Sequence, residues 1–235
     1  VNGTGVRKKY MSHILQIDTA TETAGVSIAK NGILLAVARN DSQKEHAGFL
    51  HMAIKKTLEQ AAIGLEKIDA IAVTNGPGSY TGLRVGLASA KGLCYALNKP
   101  LISIGSLPAL AYASMLEKKD GWPEGTLFCP MIDARRMEVY TAVYNRNMDE
   151  LKAPFALVLD ETSFGTLPEN STCVFSGSGT KKWSKLNTLK NVEYFFDTDT
   201  TAAFCQLSYK KFMHQDFADL KYSEPLYVKE FFFAS

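Results

Sequence analysis

One stretch limits what this chain can become: Asn75-Gly76-Pro77-Gly78-Ser79-Tyr80-Thr81-Gly82-Leu83-Arg84-Val85-Gly86-Leu87-Ala88-Ser89-Ala90-Lys91-Gly92. It follows residues 68–73, an apolar run with β-branched members that reads as a buried strand. Asn-Gly-Pro-Gly turns the chain, because glycine allows positive φ and proline fixes φ. The pattern then predicts a helix to Leu97, closed by Asn98 and Pro100. Three glycines inside it, Gly82, Gly86 and Gly92, each weaken a helix by about 1 kcal/mol relative to alanine. Gly82, Gly86, Ala90 and Cys94 are four apart and share one nearly bare face. Such a face lets something approach the backbone closely. The residues alone allow two candidates, the sheet of the same domain or a helix of another protein.

The flanking segments give that helix a setting. Residues 13–18 form a strand ending in Asp18, a polar turn follows, and residues 25–29 and 33–39 make two more strands joined by the hairpin signal Asn31-Gly32. Ser42-Gln43-Lys44-Glu45 has the form of a capping box, and Ala47, Leu50, Ile54, Leu58 and Ala61 recur at helical spacing behind it. After the glycine-bearing helix comes a strand at 101–104. Three meandering strands, helix, strand, helix, strand, with right-handed crossovers, give a mixed five-stranded sheet covered by helices: a ribonuclease-H-like or actin-like half-domain in an α/β fold. Ser106-Leu107-Pro108 opens a further helix to about Lys119.

A second half begins there. Met131-Ile132-Asp133-Ala134-Arg135 repeats the form of Ile17-Asp18-Thr19-Ala20, a strand ending in Asp, then a turn and a returning strand at 138–144. The expected division is therefore an N-terminal actin-like subdomain over 11–105 and a C-terminal, degenerate one over 106–235. Residues 160–167 are a candidate short helix, and Ser176-Gly177-Ser178-Gly179 a strand-to-turn junction before another short helix. Residues 192–196 read as a strand, 201–217 as a helix free to pack back on the first subdomain, and 225–228 as extended.

Composition excludes several classes. Hydrophobic content of 46% with 21% charged residues suits a globular core, and no run approaches the roughly 18 apolar residues that span a bilayer. The formal charge of +2 owes much to Arg7, Lys8 and Lys9; beyond the first ten residues it is 23 basic against 24 acidic, with no global signature for nucleic acid. Residues 1–10 lack the apolar core of a signal peptide, and Met11 reads as the natural start behind a leader or added extension. Cys94, Cys129, Cys173 and Cys205 have neither metal nor redox spacing and fit separate thiols in a cytoplasmic protein.

Asp18 with Thr19, Thr21 and Thr23 has the makings of a phosphate-binding hairpin, with Asp133, Arg135 and the Gly177 and Gly179 turn across the same cleft. Such hairpins rely on glycine for close approach, and here Ala20 and the bulky Ala134-Arg135-Arg136 stand instead. A weakened or vestigial nucleotide cleft, with weak ATP or ADP binding at most, is the expectation. His46 and His51 are five apart, about 140° round a helix, and make no metal pair. No catalytic residue or nucleophilic arrangement is readable. Lys181-Lys182-Trp183 and Lys210-Lys211 read as solvated helix faces.

The stretch from Asn75 to Gly92 closely resembles the signature of the TsaB (YeaZ) family, with residues 17–21, 131–135 and 225–228 falling where that family has lesser motifs. The resemblance implies a two-subdomain actin-like fold without its own catalytic machinery. It further implies pairing with a TsaD-like catalytic subunit that moves a threonylcarbamoyl group from its AMP conjugate to the adenosine beside the tRNA anticodon. A TsaE-like ATPase, tRNA reached through the complex, and a homodimer when the chain is alone complete the expected partners. In the family the first two helices make the heterodimer contact, which favours the partner reading of the bare face and assigns Tyr80, Thr81, Gly82, Leu83, Arg84, Gly86, Ala90 and Cys94 to it. Two other functions are weighed against this one: an autonomous ATP-dependent actin-like enzyme, such as a small-molecule kinase, and, more weakly, a glycoprotease-like peptidase.

Overall fold

In the computed structural model, residues 11–40 and 46–229 are described. The expected leader and the capping box at 42–45 lie outside them. Two five-stranded mixed sheets carry the fold. The first has the order β3-β2-β1-β4-β5, from β1 (His13–Asp18), β2 (Ala24–Lys30), β3 (Ile33–Asn40), β4 (Ala70–Gly76) and β5 (Leu101–Gly105). β1 is antiparallel to β2 and parallel to β4, as the meander followed by crossovers requires. The second has the order β10-β9-β6-β7-β8, from β6 (Leu127–Asp133), β7 (Glu138–Asn145), β8 (Glu150–Val158), β9 (Cys173–Ser176) and β10 (Val192–Phe195). Its pairings repeat those of the first sheet strand for strand. The fold is actin-like, with a duplicated ribonuclease-H-like sheet.

Period-two alternation splits each sheet into two cores. Leu15, Ile17, Val26, Ile28, Ile71 and Val73 face α1 (His46–Ala61) and α2 (Tyr80–Leu97) through Leu50, Ile54, Leu87, Ala90 and Cys94. Ile14, Ala70, Ala72, Ile102 and Ile104 point the other way, against Ala109 of α3 (Ser106–Leu116) and Phe204 of α5 (Thr201–Met213). Thus α5, from the end of the chain, completes the first sheet. A buried polar knot marks that seam: Gln16 Nε2 donates to Ser208 Oγ at 3.3 Å, and Ser27 Oγ donates to Gln16 Oε1 at 2.6 Å. α3 is apolar all round because it lies between layers, and its Leu107, Leu110 and Ala111 pack with Phe128, Ile132 and Val174 of the second sheet. On that sheet's far face, Trp183 of α4 (Thr180–Trp183) packs with Cys129, Val139 and Phe175.

Three sequence expectations change. β8 has no counterpart among the expected strands; it is an edge strand, where the missing N–H of Pro154 costs no ladder bond. Residues 160–167 form successive turns instead of a helix, with Asp160 accepting from the Thr162 N–H and the Ser163 hydroxyl. α3 and α5 stop at Leu116 and Met213, short of the expected ends. Among the described residues no helix is long and apolar enough to cross a membrane.

Candidate functional site

The glycine-rich turn and α2 make one unit with the β1–β2 turn. Ser79 caps the helix, its Oγ accepting from the Gly82 N–H at 3.3 Å. Its own N–H donates to the Ala20 carbonyl at 2.7 Å, and Thr19 Oγ1 donates to the Gly82 carbonyl at 2.7 Å. The glycines are what allow this approach. A Cβ on Gly78 would stand 2.1 Å from the Ala20 carbonyl oxygen, one on Gly82 2.0 Å from that of Thr19, and one on Gly86 2.2 Å from Thr19 Oγ1.

Five of the eight residues expected to face a partner are therefore turned inward. Gly82, Leu83, Gly86, Ala90 and Cys94 are buried against this chain's own β1 and β4 and the turn after β1. The physical reason is the depth of the β1–β2 turn, which needs a helix stripped of side chains beneath it. Of the two candidates for the bare face, the sheet of the same domain holds it. Tyr80, Thr81 and Arg84 are exposed as expected.

The outward face, opposite on the wheel, carries a second small series that the sequence reading passed over: Ala88, Gly92 and Ala96, flanked by Tyr95, which is 85% exposed. A Cβ on Gly92 would meet nothing within 4 Å. On the neighbouring α1, Met52 is 68% exposed and Lys55, Lys56 and Glu59 are exposed with it. The spacing was readable; what sequence lacked was which of two small faces the sheet would take.

Between the lobes lies a cleft of about 1420 Å³. Of the residues expected there, Asp18, Thr21, Asp133, Arg135 and Gly177 line it. Thr19 does not: its hydroxyl is spent on Gly82 and the residue is buried. Gly179 does not either, since it is bare to pass Met131 and Val139, where a Cβ would stand 2.9 and 2.7 Å from side-chain carbons. Asp18 Oδ1 accepts from the Ala20 N–H at 3.1 Å and from Thr74 Oγ1 at 2.9 Å. Burial raises its carboxyl above the ordinary range, and those two hydrogen bonds only partly oppose it. Asp133 holds the matching place in the second lobe, accepting from the Arg135 N–H at 2.6 Å and pairing with Lys182 Nζ at 2.7 Å.

The C-terminal segment closes one end of the cleft. The Leu226 N–H donates to the Asn75 carbonyl at 2.7 Å, and Lys229 pairs with Glu138 at 2.8 Å. Arg84 Nε donates to the Tyr227 hydroxyl at 2.9 Å while its guanidinium lies 4.0 Å over the Tyr80 ring. Sequence placed 225–228 as extended and gave no sign of this grip, which joins residues 143 positions apart. Among the described residues no three His, Cys, Asp or Glu side chains are grouped to hold a metal ion, and His51 is exposed on α1.

Residues 36–219 match the family described as TsaD, tRNA N6-adenosine threonylcarbamoyltransferase. The chain is 33% identical over 131 residues to the tRNA threonylcarbamoyladenosine biosynthesis protein TsaB of Bacillus subtilis, covering 56% of this chain and 54% of that one. It is 34% identical over 134 residues to TsaB of Escherichia coli, covering 57% and 55%. The chain thus spans about half the length of these curated relatives. Among solved structures, YeaZ from Pseudomonas aeruginosa superposes with a TM-score of 0.78 at 23% identity, over 92% of this chain and all of that one, which bears on the fold alone.

Proposed function

The chain belongs to the TsaD-related family, in its TsaB (YeaZ) branch, and from that premise we propose that it is a non-catalytic partner subunit in making threonylcarbamoyladenosine on tRNA. In this reading it pairs with a TsaD-like subunit, which transfers threonylcarbamoyl from threonylcarbamoyl-AMP to the adenosine beside the anticodon, with a TsaE-like ATPase serving the same assembly. The observation that carries the reading is the outward side of α2. It presents Thr81, Arg84, Ala88, Gly92 and Tyr95 in one exposed row, and α1, which shares a core with α2, carries the exposed Met52. Small residues at four-residue spacing admit a facing helix closely, and an exposed tyrosine and arginine supply the residue types that anchor interfaces.

The non-catalytic part of the reading is supported by how the β1–β2 turn is used. Its Thr19 hydroxyl donates to the Gly82 carbonyl of α2 and Thr19 is buried, so that hydroxyl does not face the cleft where a phosphate would lie. That favours a scaffold over an autonomous kinase. With no partner present, the same α1–α2 face suits a second copy of the chain.

Mixing with the cognate TsaD-like protein tests the proposal. Wild type should form a 1:1 complex by calorimetry. Tyr95→Glu and Ala88→Arg, both outward, should each weaken it at least about tenfold, roughly 1.4 kcal/mol, with melting temperature unchanged. Full affinity in both variants would remove α2 from the interface.

A further inference from the structure

The duplicated sheet permits a comparison within one chain. In each lobe the central strand ends in an aspartate whose Oδ1 accepts from the N–H two residues on: Asp18 from Ala20, Asp133 from Arg135. In each, the next parallel strand runs into a glycine with positive φ, Gly76 at +115° and Gly177 at +96°. The two turns then differ. That of the first lobe is sunk onto α2, with Thr19 and Ala20 buried. That of the second stands clear, with Arg135 and Arg136 both exposed.

Those arginines are held in an unusual way. Their φ values are +70° and +47°, two successive non-glycine residues in the left-handed region, which side chains beyond glycine, asparagine and aspartate rarely enter. The Asp133–Lys182 pair ties the turn to α4, and the Glu138 N–H donates to the Arg135 carbonyl at 3.0 Å. Three acidic groups on this side of the lobe already have lysine partners: Asp133 has Lys182, Glu138 has Lys229 and Asp197 has Lys181. Among the described residues neither guanidinium has a carboxylate partner, nor has exposed Lys185 one turn beyond Lys182. Strained backbone that presents two uncompensated guanidiniums side by side fits an anion supplied from outside.

We propose that the Arg135–Arg136 turn contacts the phosphodiester backbone of the RNA that the assembly modifies. The inference rests on the reading that this chain belongs to a tRNA-modifying complex. A row of phosphates suits the site better than one small anion, because both side chains are exposed on adjacent positions of one turn and only Arg135 also lines the cleft.

Fluorescence anisotropy of a labelled tRNA anticodon stem-loop, titrated at several salt concentrations, tests it with the free chain and with its complex with the TsaD-like subunit. The informative variant is Arg135→Gly/Arg136→Gly, which removes both charges and suits the left-handed backbone, so its melting temperature should not fall. RNA affinity should drop about tenfold at 0.1 M salt, and the slope of log K against log salt should become shallower by about 1.5. Arg135→Lys/Arg136→Lys should keep most of the affinity. Wild-type affinity and slope in the glycine variant would overturn the proposal, as would no RNA binding by wild type either free or in complex. So would ATP binding that is lost in the variant while RNA binding is not. If the subunits fail to assemble, the partner reading falls, yet the free-chain slopes still decide the role of the arginines.

Discussion

In the cleft, Asp18 pairs with no cation among the described residues; its Oδ1 accepts from one backbone N–H and one hydroxyl, Ala20 and Thr74. Burial outweighs both hydrogen bonds and raises the carboxyl above its unfolded value. A group raised in this way binds its proton more tightly when folded. Its contribution to stability is therefore full below the unfolded pKa near 4 and is lost as pH rises through the folded value. Asp18→Asn keeps an oxygen acceptor for Ala20 and Thr74 and removes the buried charge. The variant should melt above wild type at pH 7, and the gap should close as pH falls below about 4. Thermal melts from pH 3 to 8 would show it; a gap that widens toward acid would mean the carboxylate is stabilised in the fold.

Within α2, one glycine type does two opposite things. Gly86 faces Thr19 and Ile17, while Gly92 faces open space. Gly86→Leu should destabilise the monomer by about 2–4 kcal/mol in urea unfolding, since the side chain must displace the β1–β2 turn. Gly92→Ala should stabilise it by about 0.5–1 kcal/mol through helix propensity. If Gly86→Leu folds like wild type and loses only its partner, the inward assignment is mistaken. This helix also shows what could be read from the chain. The small face was legible as Gly82-Gly86-Ala90, and so were the strands either side, because apolar period and turn residues are local signals. Which side of the helix met the sheet was not legible, since Ala88, Gly92 and Ala96 give an equally bare row. The arbiter is long-range: Thr19 sits 63 residues before Gly82, and its hydroxyl fixes the helix rotation. The same limit explains Tyr227 on Arg84 and Lys182 on Asp133, contacts between residues whose local patterns say nothing of each other.

Over the whole molecule the chain divides into two similar sheets without dividing into two independent bodies. α3 is shared between them, and α5, reached only after the second sheet is complete, buries Phe204 and Cys205 against the first. Cys205 Sγ lies 3.1 Å from Gln16 Oε1 in the polar knot of that seam, and burial pushes its thiol up to about 11, which keeps it protonated and unreactive at neutral pH. The first sheet therefore lacks one cover until the last helix arrives, and Ile14, Ala72 and Ile102 would otherwise face water. This arrangement predicts one cooperative transition, and the tryptophans offer a clean probe. Both Trp122 and Trp183 are buried in the second lobe, whereas α1, α2 and α5, most of the helix, cover the first. Tryptophan fluorescence and far-UV circular dichroism should consequently give coincident urea midpoints. Fluorescence changing first, with helix signal retained, would mean the lobes are thermodynamically separate and that α5 holds the first sheet without help from the second. Coincidence carries a functional corollary: a partner gripping only the α1–α2 face would raise the midpoint reported by tryptophans in the far lobe, because ligand binding to the native state stabilises every part that unfolds with it.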